Sequence, residues 1–402
     1  MDNSRPGERL LWGNVAFLVG VPIALMVILP LYIIENGLSA ANVIAFVGLW
    51  WLTGLSITAG YHRLFSHRAY KGRWPTRLFF AVFGAAACQN SAITWCAAHR
   101  YHHRDVDTDG DPYNAKRGFA WSHIGWILVQ GPRHDQLDNV PDLWDDPICR
   151  WQHQHYWKIV LAVNLGIPLL IGALVGDPVG LVLFAGIARI VVVQHTTFCI
   201  NSLAHMFGSQ PWSDANTARD SWWLSFLTFG EGYHNYHHAF QRDYRNGPIW
   251  YNFDPTKWVI WLLSCVGLAK ELTRTPHDVV IRRAYEEEVA RISAWRSGMS
   301  ERMEQLADRV RDEREVMVMN LSRQVDEAET RLTEALEELT DARKRWARAA
   351  RSRRDRFSDV TRAELREMRR GVLRRTRSAK GLFEDWKTSA ALMARSLEMQ
   401  PA

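Results

Sequence analysis

Four long apolar runs, nearly free of charge, narrow the folds open to this chain more than any other feature. Trp12 to Ile34 is apolar apart from Asn14 and two prolines, long enough for the roughly 20 residues a bilayer core demands of a helix. After the short turn Glu35-Asn36-Gly37, a second run from Ala41 to Ala59 ends in Gly60-Tyr61-His62. Trp157 to Val175 and Val179 to Phe198 form a closely connected pair, separated by Gly176-Asp177-Pro178 and containing only Lys158 and Arg189 as charges. The pattern predicts four membrane spans, about 12–34, 41–59, 157–175 and 179–198.

The connections around Glu35 and Asp177 carry no Lys or Arg. The N-terminus, with Arg5 and Arg9, and the long segments 60–156 and 199–402 carry nearly all of them. By the positive-inside rule both termini and both long segments are cytoplasmic. The first run is too long for a signal-peptide core and lacks an A-x-A cleavage site, so it reads as a retained anchor. Leu78 to Cys88 and Trp258 to Leu268 are about half the spanning length, which suits helices lying on the membrane or capping a cavity. Arg189 is expensive in lipid and should face the protein or snorkel to an interface. A structural ion pair and a role in a site are both open to it.

The mean hydropathy of −0.22 would suit a soluble protein, but it averages two unlike pieces. From Arg282 onward there are 28 Lys or Arg and 23 Asp or Glu, leaving 21 basic and 20 acidic residues in the first 281. The division expected is a membrane domain, 1–281, and a charged helical tail, 282–402. Five widely spaced cysteines with no CxxC pair exclude a disulfide framework and a zinc ribbon.

Eight of the 15 histidines fall in three clusters: His62 and His67 in HRLFSH, His99, His102 and His103 in HRYHH, and His234, His237 and His238 in HNYHH. On a helix, positions i, i+3 and i+4 share a face, so each HxxHH triplet is expected to aim three imidazoles at a common point. Neutral imidazole ligates iron, copper, zinc and nickel. Two triplets and a pair exceed the needs of one four-coordinate ion, which implies two metal ions. Structural zinc is the rival, but its sites close at four ligands and usually include cysteine, so an all-histidine site beside a membrane favours redox iron.

His205, four residues after Asn201 in NSLAHMFG, is a further candidate ligand, with Asn201 one turn away and able to hold a metal-bound water. His123, His134, His153, His155, His195 and His277 have no cluster partners and read as non-ligands. Asp105, Asp107, Asp109 and Asp111 alternate like half of a calcium loop, but the closing position is Lys116. These acids read better as acceptors for imidazole N–H groups of the adjacent HRYHH.

Together, HRLFSHRAY, HRYHH followed by DTDGDPYNAKRGFAWSHIGW, NSLAHMFG and GEGYHNYHH resemble the integral-membrane fatty acyl desaturases, specifically the delta-9 branch of stearoyl-CoA and bacterial acyl-lipid desaturases, over roughly residues 10–275. The resemblance implies an all-α membrane fold, four transmembrane helices with a cytoplasmic helical cap holding a di-iron site. Its nine histidine ligands would be His62, His67, His99, His102, His103, His205, His234, His237 and His238, with Asn201 acting through water. It also implies an acyl tunnel lined by Gln89, Asn90, Trp95, Thr197 and Phe198, the last replacing the family's tryptophan. Animal acyl-CoA enzymes carry an Arg-Asp pair where this sequence has Ala97 and Ala98, and basic residues where it has Gln130 and Gly131. Losing charged contacts to a polyanionic carrier weighs toward lipid-linked acyl groups as the alternative to acyl-CoA.

The implied reaction is O2-dependent formation of a cis double bond, delta-9, in a saturated C16 or C18 acyl group. Unactivated C–H bonds in the middle of such a group offer nothing to side-chain acid–base catalysis, so the cofactor must carry that step. No fused heme, flavin or iron–sulfur module is visible, which implies an external electron donor, a ferredoxin or a b-type cytochrome with its reductase. The rival readings are a membrane di-iron hydroxylase and an inactive anchor displaying the tail.

Between Pro276 and Pro401 there is no proline, which reads as long helix. Apolar residues at Met299, Met303, Leu306, Val310, Met317, Leu321, Val325, Ala328, Leu332, Ala335, Leu339, Ala342 and Trp346 step mostly by three and four, a coiled-coil pattern with a break at Glu313. Residues 286–341 are net −8 and 343–380 net +12. Such blocks can pair antiparallel within or between chains, and self-association through 286–346 is one expectation. Anionic membrane lipid under the basic block is another. No base-reading motif accompanies it, which weighs against nucleic acid.

Overall fold

The computed structural model describes residues 9–131, 136–306, 313–352 and 361–398. Two compact units divide the chain, Met1–Arg274 and Thr275–Ala402. Both are built almost entirely from helices.

Among the described residues of the first unit four helices are long and apolar enough to cross a bilayer: α1 (Trp12–Asn36), α2 (Ala40–Ser66), α6 (Tyr156–Val175) and α7 (Pro178–His205). Between α2 and α6 lie α3 (Trp74–Ala85), α4 (Ala92–Asp105) and α5 (Pro147–Gln154); after α7 come α8 (His234–Ala239) and α9 (Pro255–Cys265). Asp177, in the turn between α6 and α7, accepts from Tyr32 Oη at 2.5 Å and Asn42 Nδ2 at 3.0 Å, and caps α7 through Gly180 N at 2.7 Å. Both short connections are therefore gathered at one end of the bundle. The histidine-bearing ends of α2 and α7 lie at the other.

Close approach of α2 and α3 requires two glycines. A Cβ on Gly60 would meet Phe80 Cβ at 2.5 Å, and one on Gly84 would meet the Tyr61 ring at 2.3 Å. The core beside them joins Tyr61, Phe65 and Tyr70 to Phe80, Ile93, Cys96, Cys149 and Ile260, so the first two histidine segments share one packed foundation. Two short antiparallel pairings, Arg9–Leu10 with Val129–Gln130 and Lys71–Gly72 with Ala269–Lys270, pin the segments outside the spans.

The second unit comprises α10 (His277–Leu306), α11 (Glu313–Ser352) and α12 (Arg362–Glu398). Helix α11 runs antiparallel to both neighbours. Against α10 it pairs Thr340 with Arg282, Thr333 with Tyr285 and Asp326 with Arg296, each at 3.3 Å. Against α12 it pairs Glu338 with Arg375 at 3.6 Å. Val325, Leu332, Leu336 and Leu339 are buried with Trp386, Ala390 and Met393. The apolar stripe of 321–342 is thus satisfied inside its own chain. Arg5, His134 and the stripe positions Met303, Leu306, Val310 and Met317 lie outside the residues, or the side chains, that are described.

Candidate metal centre

Local helix geometry places each histidine. Ser91 caps α4, accepting from Thr94 N at 3.3 Å, and starts the helix one turn before Trp95 and two before His99. The end of α2 is widened to five-residue hydrogen bonds, with His67 N donating to His62 O at 3.1 Å. Such widening is common at functional sites, and here it turns residues five apart onto one face. The third triplet rides on α8 and His205 on the last turn of α7.

The nine histidines form two groups, His62, His67, His99, His103 and His237 in one and His102, His205, His234 and His238 in the other, with ligand atoms in each within 4.8 Å of one another. Each HxxHH triplet is therefore divided between two points, not aimed at one as the sequence pattern suggested. At about 100° per residue, positions i and i+4 are only ~40° apart, whereas i+3 and i+4 are ~100° apart. His99 and His103 accordingly face the first group while His102 faces the second; His234 and His238 face the second while His237 faces the first.

The donor set fits transition metal ions. Nε2 atoms approach in pairs: His62–His237 at 2.9 Å, His67–His99 at 2.8 Å, His103–His237 at 3.0 Å, His205–His234 and His234–His238 at 3.1 Å, and His102–His238 at 3.3 Å. Adjacent imidazole ligands about 2.1 Å from an ion, at right angles, stand ~3.0 Å apart. Burial, reinforced by neighbouring imidazoles, holds His67, His99, His103, His234, His237 and His238 well below the ordinary histidine pKa. They are neutral, the form that ligates.

Outer partners orient several rings. Asp111 accepts from His102 Nδ1 at 2.9 Å and from the backbone N–H groups of Asp107 and Tyr113. Burial pushes the Asp111 carboxyl up, but His102 outweighs it and the pKa lies below the usual range. Asp107 acts one step removed, accepting at 2.7 Å from Thr217 Oγ1, which lies 2.8 Å from His205 Nδ1. Asp105, at the end of α4, pairs with Arg104 at 3.0 Å. Asp109 lines the neighbouring cavity.

Sequence reasoning missed Glu231. Its carboxylate sits 2.9 Å from His62 Nδ1 and 2.9 Å from Arg63 Nη2, and it accepts from Asn246. Burial raises this carboxyl, while His62 and Arg63 outweigh it and hold it below the usual value. Arg63, itself buried, also reaches Asp254 at 3.0 Å. Among the described histidines outside the two groups, His123 pairs with His195 at 3.1 Å, His153 with Ser91 at 2.6 Å and His155 with Trp151 O at 3.0 Å.

A cavity of about 1040 Å³ opens beside the histidines, lined by His62, His99, His102 and His234. Asn201 and all five expected tunnel residues, Gln89, Asn90, Trp95, Thr197 and Phe198, lie on its wall. Gln89 Nε2 donates to Thr197 Oγ1 at 2.9 Å, Trp95 Nε1 donates to Gln89 Oε1 at 3.2 Å, and Trp95 stacks on His99 with centroids 4.9 Å apart. Ala98, Gln130 and Gly131 also line the cavity, as does Arg117, whose guanidinium lies 3.2 Å above the Trp121 ring.

Four apolar helices, two buried imidazole groups able to hold metal and an adjoining cavity define a membrane metalloprotein of one recognisable kind. Residues 38–261 match the sequence profile described as "Fatty acid desaturase", and the protein belongs to that family as an integral membrane protein. It is 43% identical over 294 residues to acyl-CoA desaturase 1 of Saccharomyces cerevisiae, covering 71% of this sequence and 56% of that one. It is 35% identical to stearoyl-CoA desaturase 5 of Bos taurus, covering 69% of this sequence and 86% of the relative. It is 36% identical to the sn-1 stearoyl-lipid 9-desaturase of Anabaena variabilis, covering 64% and 92%. The match thus spans little more than half of the yeast protein's length.

Proposed function

We propose that the protein is an O2-dependent fatty acyl desaturase that forms a cis delta-9 double bond in a saturated C16 or C18 acyl group, most directly as acyl-CoA. The observation that carries this reading is the pair of buried imidazole groups beside a cavity of about 1040 Å³ whose wall is cross-linked by Gln89, Thr197 and Trp95. Its size is at the upper end of ligand cavities, about 300–1,000 Å³, and suits an extended acyl group. The balanced reaction takes the saturated acyl group, O2, two electrons and two protons to the monoene and two waters.

The first metal ion would be held by His62, His67, His99, His103 and His237, and the second by His102, His205, His234 and His238 with Asn201 through a water. Bound there, two iron ions would supply the reduction of dioxygen and the removal of two neighbouring hydrogens, which no side chain in the cavity can perform. The protein's own residues do the rest. Gln89, Trp95 and Thr197 fix the wall against which one C–C bond is presented. Glu231 and Asp111 hold the Nδ1 protons of His62 and His102, keeping Nε2 free to ligate. Trp95 and Phe198 help keep bulk water from the reacting carbon.

Two electrons per turnover would come from a separate donor, a ferredoxin or a b-type cytochrome with its reductase, docking on the side of the histidines, which the charge pattern assigns to the cytoplasm. A lipid-linked acyl substrate is the second reading, favoured by the neutral Ala98, Gln130 and Gly131 on the cavity wall. Gas chromatography with mass spectrometry of fatty acids from a host lacking delta-9 desaturation tests the activity. A new monoene with wild type but not with His102→Ala supports it. Gain of one oxygen instead of loss of two hydrogens would convert the reading to hydroxylation. Wild type that is inserted and iron-loaded, yet silent with every co-expressed donor, would remove it. Self-association through 286–346 would have to use faces outside the bundle core, and an unchanged oligomeric state in a variant ending at Thr275 would count against it.

A further inference from the structure

Arg189 lies in α7 with no exposed surface. The sequence left an ion pair open, but its partners are carbonyls and an amide. Nε donates to Ala185 O at 3.1 Å, Nη1 to Ala86 O at 2.8 Å and Nη2 to Asn164 Oδ1. A guanidinium inside an apolar span is costly and is expected to do something specific there. Here it ties α7 to α6 and to the backbone turn that follows α3.

That turn is the root of the cavity wall. Cys88 and Asn90 have φ of +55° and +75°, a left-handed conformation that non-glycine residues seldom adopt and that persists only where the surroundings over-determine it. The surroundings converge on it. Asn164 Nδ2 donates to Cys88 Sγ at 3.3 Å, Gln194 Nε2 to Cys88 O at 3.1 Å, and Asn90 N to Tyr156 Oη at 3.1 Å. Between the two strained residues, Gln89 extends into the cavity and meets Thr197 and Trp95. Arg189 and Thr197 are eight residues, a little over two turns, apart on the same helix. Helix α7 therefore grips both the root of the turn, at Ala86, and its tip, at Gln89.

We propose that Arg189 is a positioning residue: through Ala86 and Asn164 it sets where the Gln89–Thr197–Trp95 wall stands, and thereby which C–C bond of the acyl group reacts. The inference rests on the desaturase reading. Arg189 does not line the cavity, so its effect is on geometry and not on contact with substrate. Small displacements of a positioning wall have large kinetic consequences, since about 1 Å can cost on the order of 100-fold.

The test uses the full-length protein in a host lacking delta-9 desaturation, with wild type, Arg189→Gln, Arg189→Lys and Asn164→Ala. Double-bond position is read after derivatisation, alongside iron per inserted protein. Wild type should give one dominant positional isomer. Arg189→Gln and Asn164→Ala should raise the share of neighbouring isomers roughly tenfold at unchanged iron content, with Arg189→Lys between. Should Arg189→Gln fail to accumulate, Asn164→Ala decides, since it loosens the same turn without altering a buried charge. Variants that insert, hold iron and turn over with the wild-type isomer distribution would overturn the proposal. A silent wild type would instead remove the desaturase reading on which it rests.

Discussion

The two units bury opposite things. Around the candidate metal centre the buried side chains include eight of the nine grouped histidines, Arg63, Glu231 and Asp111, whereas the tail buries an apolar stripe led by Val325, Leu332, Leu339 and Trp386. Buried polar groups destabilise a fold unless they are paired, so the first arrangement is not what stability alone would select; it is built around something to be held. The second needs no ligand to explain it, because three amphipathic helices have closed on one another.

The sharpest way to break this contrast is to remove one imidazole from each metal group. His102→Ala and His237→Ala should each bring monoene below detection and lower iron per inserted protein while leaving membrane insertion unchanged, checked by mass spectrometry of fatty acids and by metal analysis. An active His237→Ala enzyme would show that the first group is structural.

Trp386→Ala is the counterpart in the tail. Truncating so large a buried side chain costs about 3–5 kcal/mol, which should speed amide hydrogen exchange across α11 and α12 while iron content and product stay at wild-type level. If product disappears as completely as with His102→Ala, the units are not chemically independent and the comparison fails.

The histidines were legible because three short motifs carry eight of the nine that group together, and spacing after Asn201 offered His205, which the resemblance then strengthened. Their division into two groups was also written in the spacing, since i+3 and i+4 diverge by about 100° on a helix, but reading each triplet as one aim concealed it. Glu231 was not legible. It stands three residues before His234 yet bonds His62, far away in sequence, and only the packing of α2 against the third histidine segment brings them together. Alternation gave the four acids one role, whereas the fold pairs Asp105 with Arg104 and sets Asp111 beside His102 and Asp107 beside Thr217. In the tail, the opposite charge blocks announced antiparallel pairing. A period of three and four does not encode connectivity, so the choice between partners within one molecule and between two had to come from the fold.

Glu231→Gln probes that missed residue and should have a smaller effect than loss of a ligand. Glutamine keeps the shape but removes the charge facing His62 and Arg63. Loss of such an outer partner typically lowers metal affinity about 10–100-fold. Titration with a competing chelator should show iron leaving earlier than from wild type, with added iron restoring turnover. Iron retention equal to wild type would mean that Glu231 serves Arg63 and not the centre.

The smallest expected effect belongs to the pair Arg375–Glu338, 3.6 Å apart with side chains 44% and 70% exposed. Exposed pairs of this kind contribute about 0–1 kcal/mol and are screened by salt, so Arg375→Glu should barely change hydrogen exchange in α11 and α12, and raising salt should erase what change there is. The blocks of net −8 and +12 nevertheless suggest that charge does something larger. Orientation is the natural candidate, because like charges brought together by a wrong register repel while the correct one loses little. Combining Arg375→Glu with Glu338→Arg should restore wild-type exchange. If instead the single reversal loosens the bundle as far as Trp386→Ala, the tail is held by its charges, and the contrast with the membrane unit becomes one between two kinds of electrostatics.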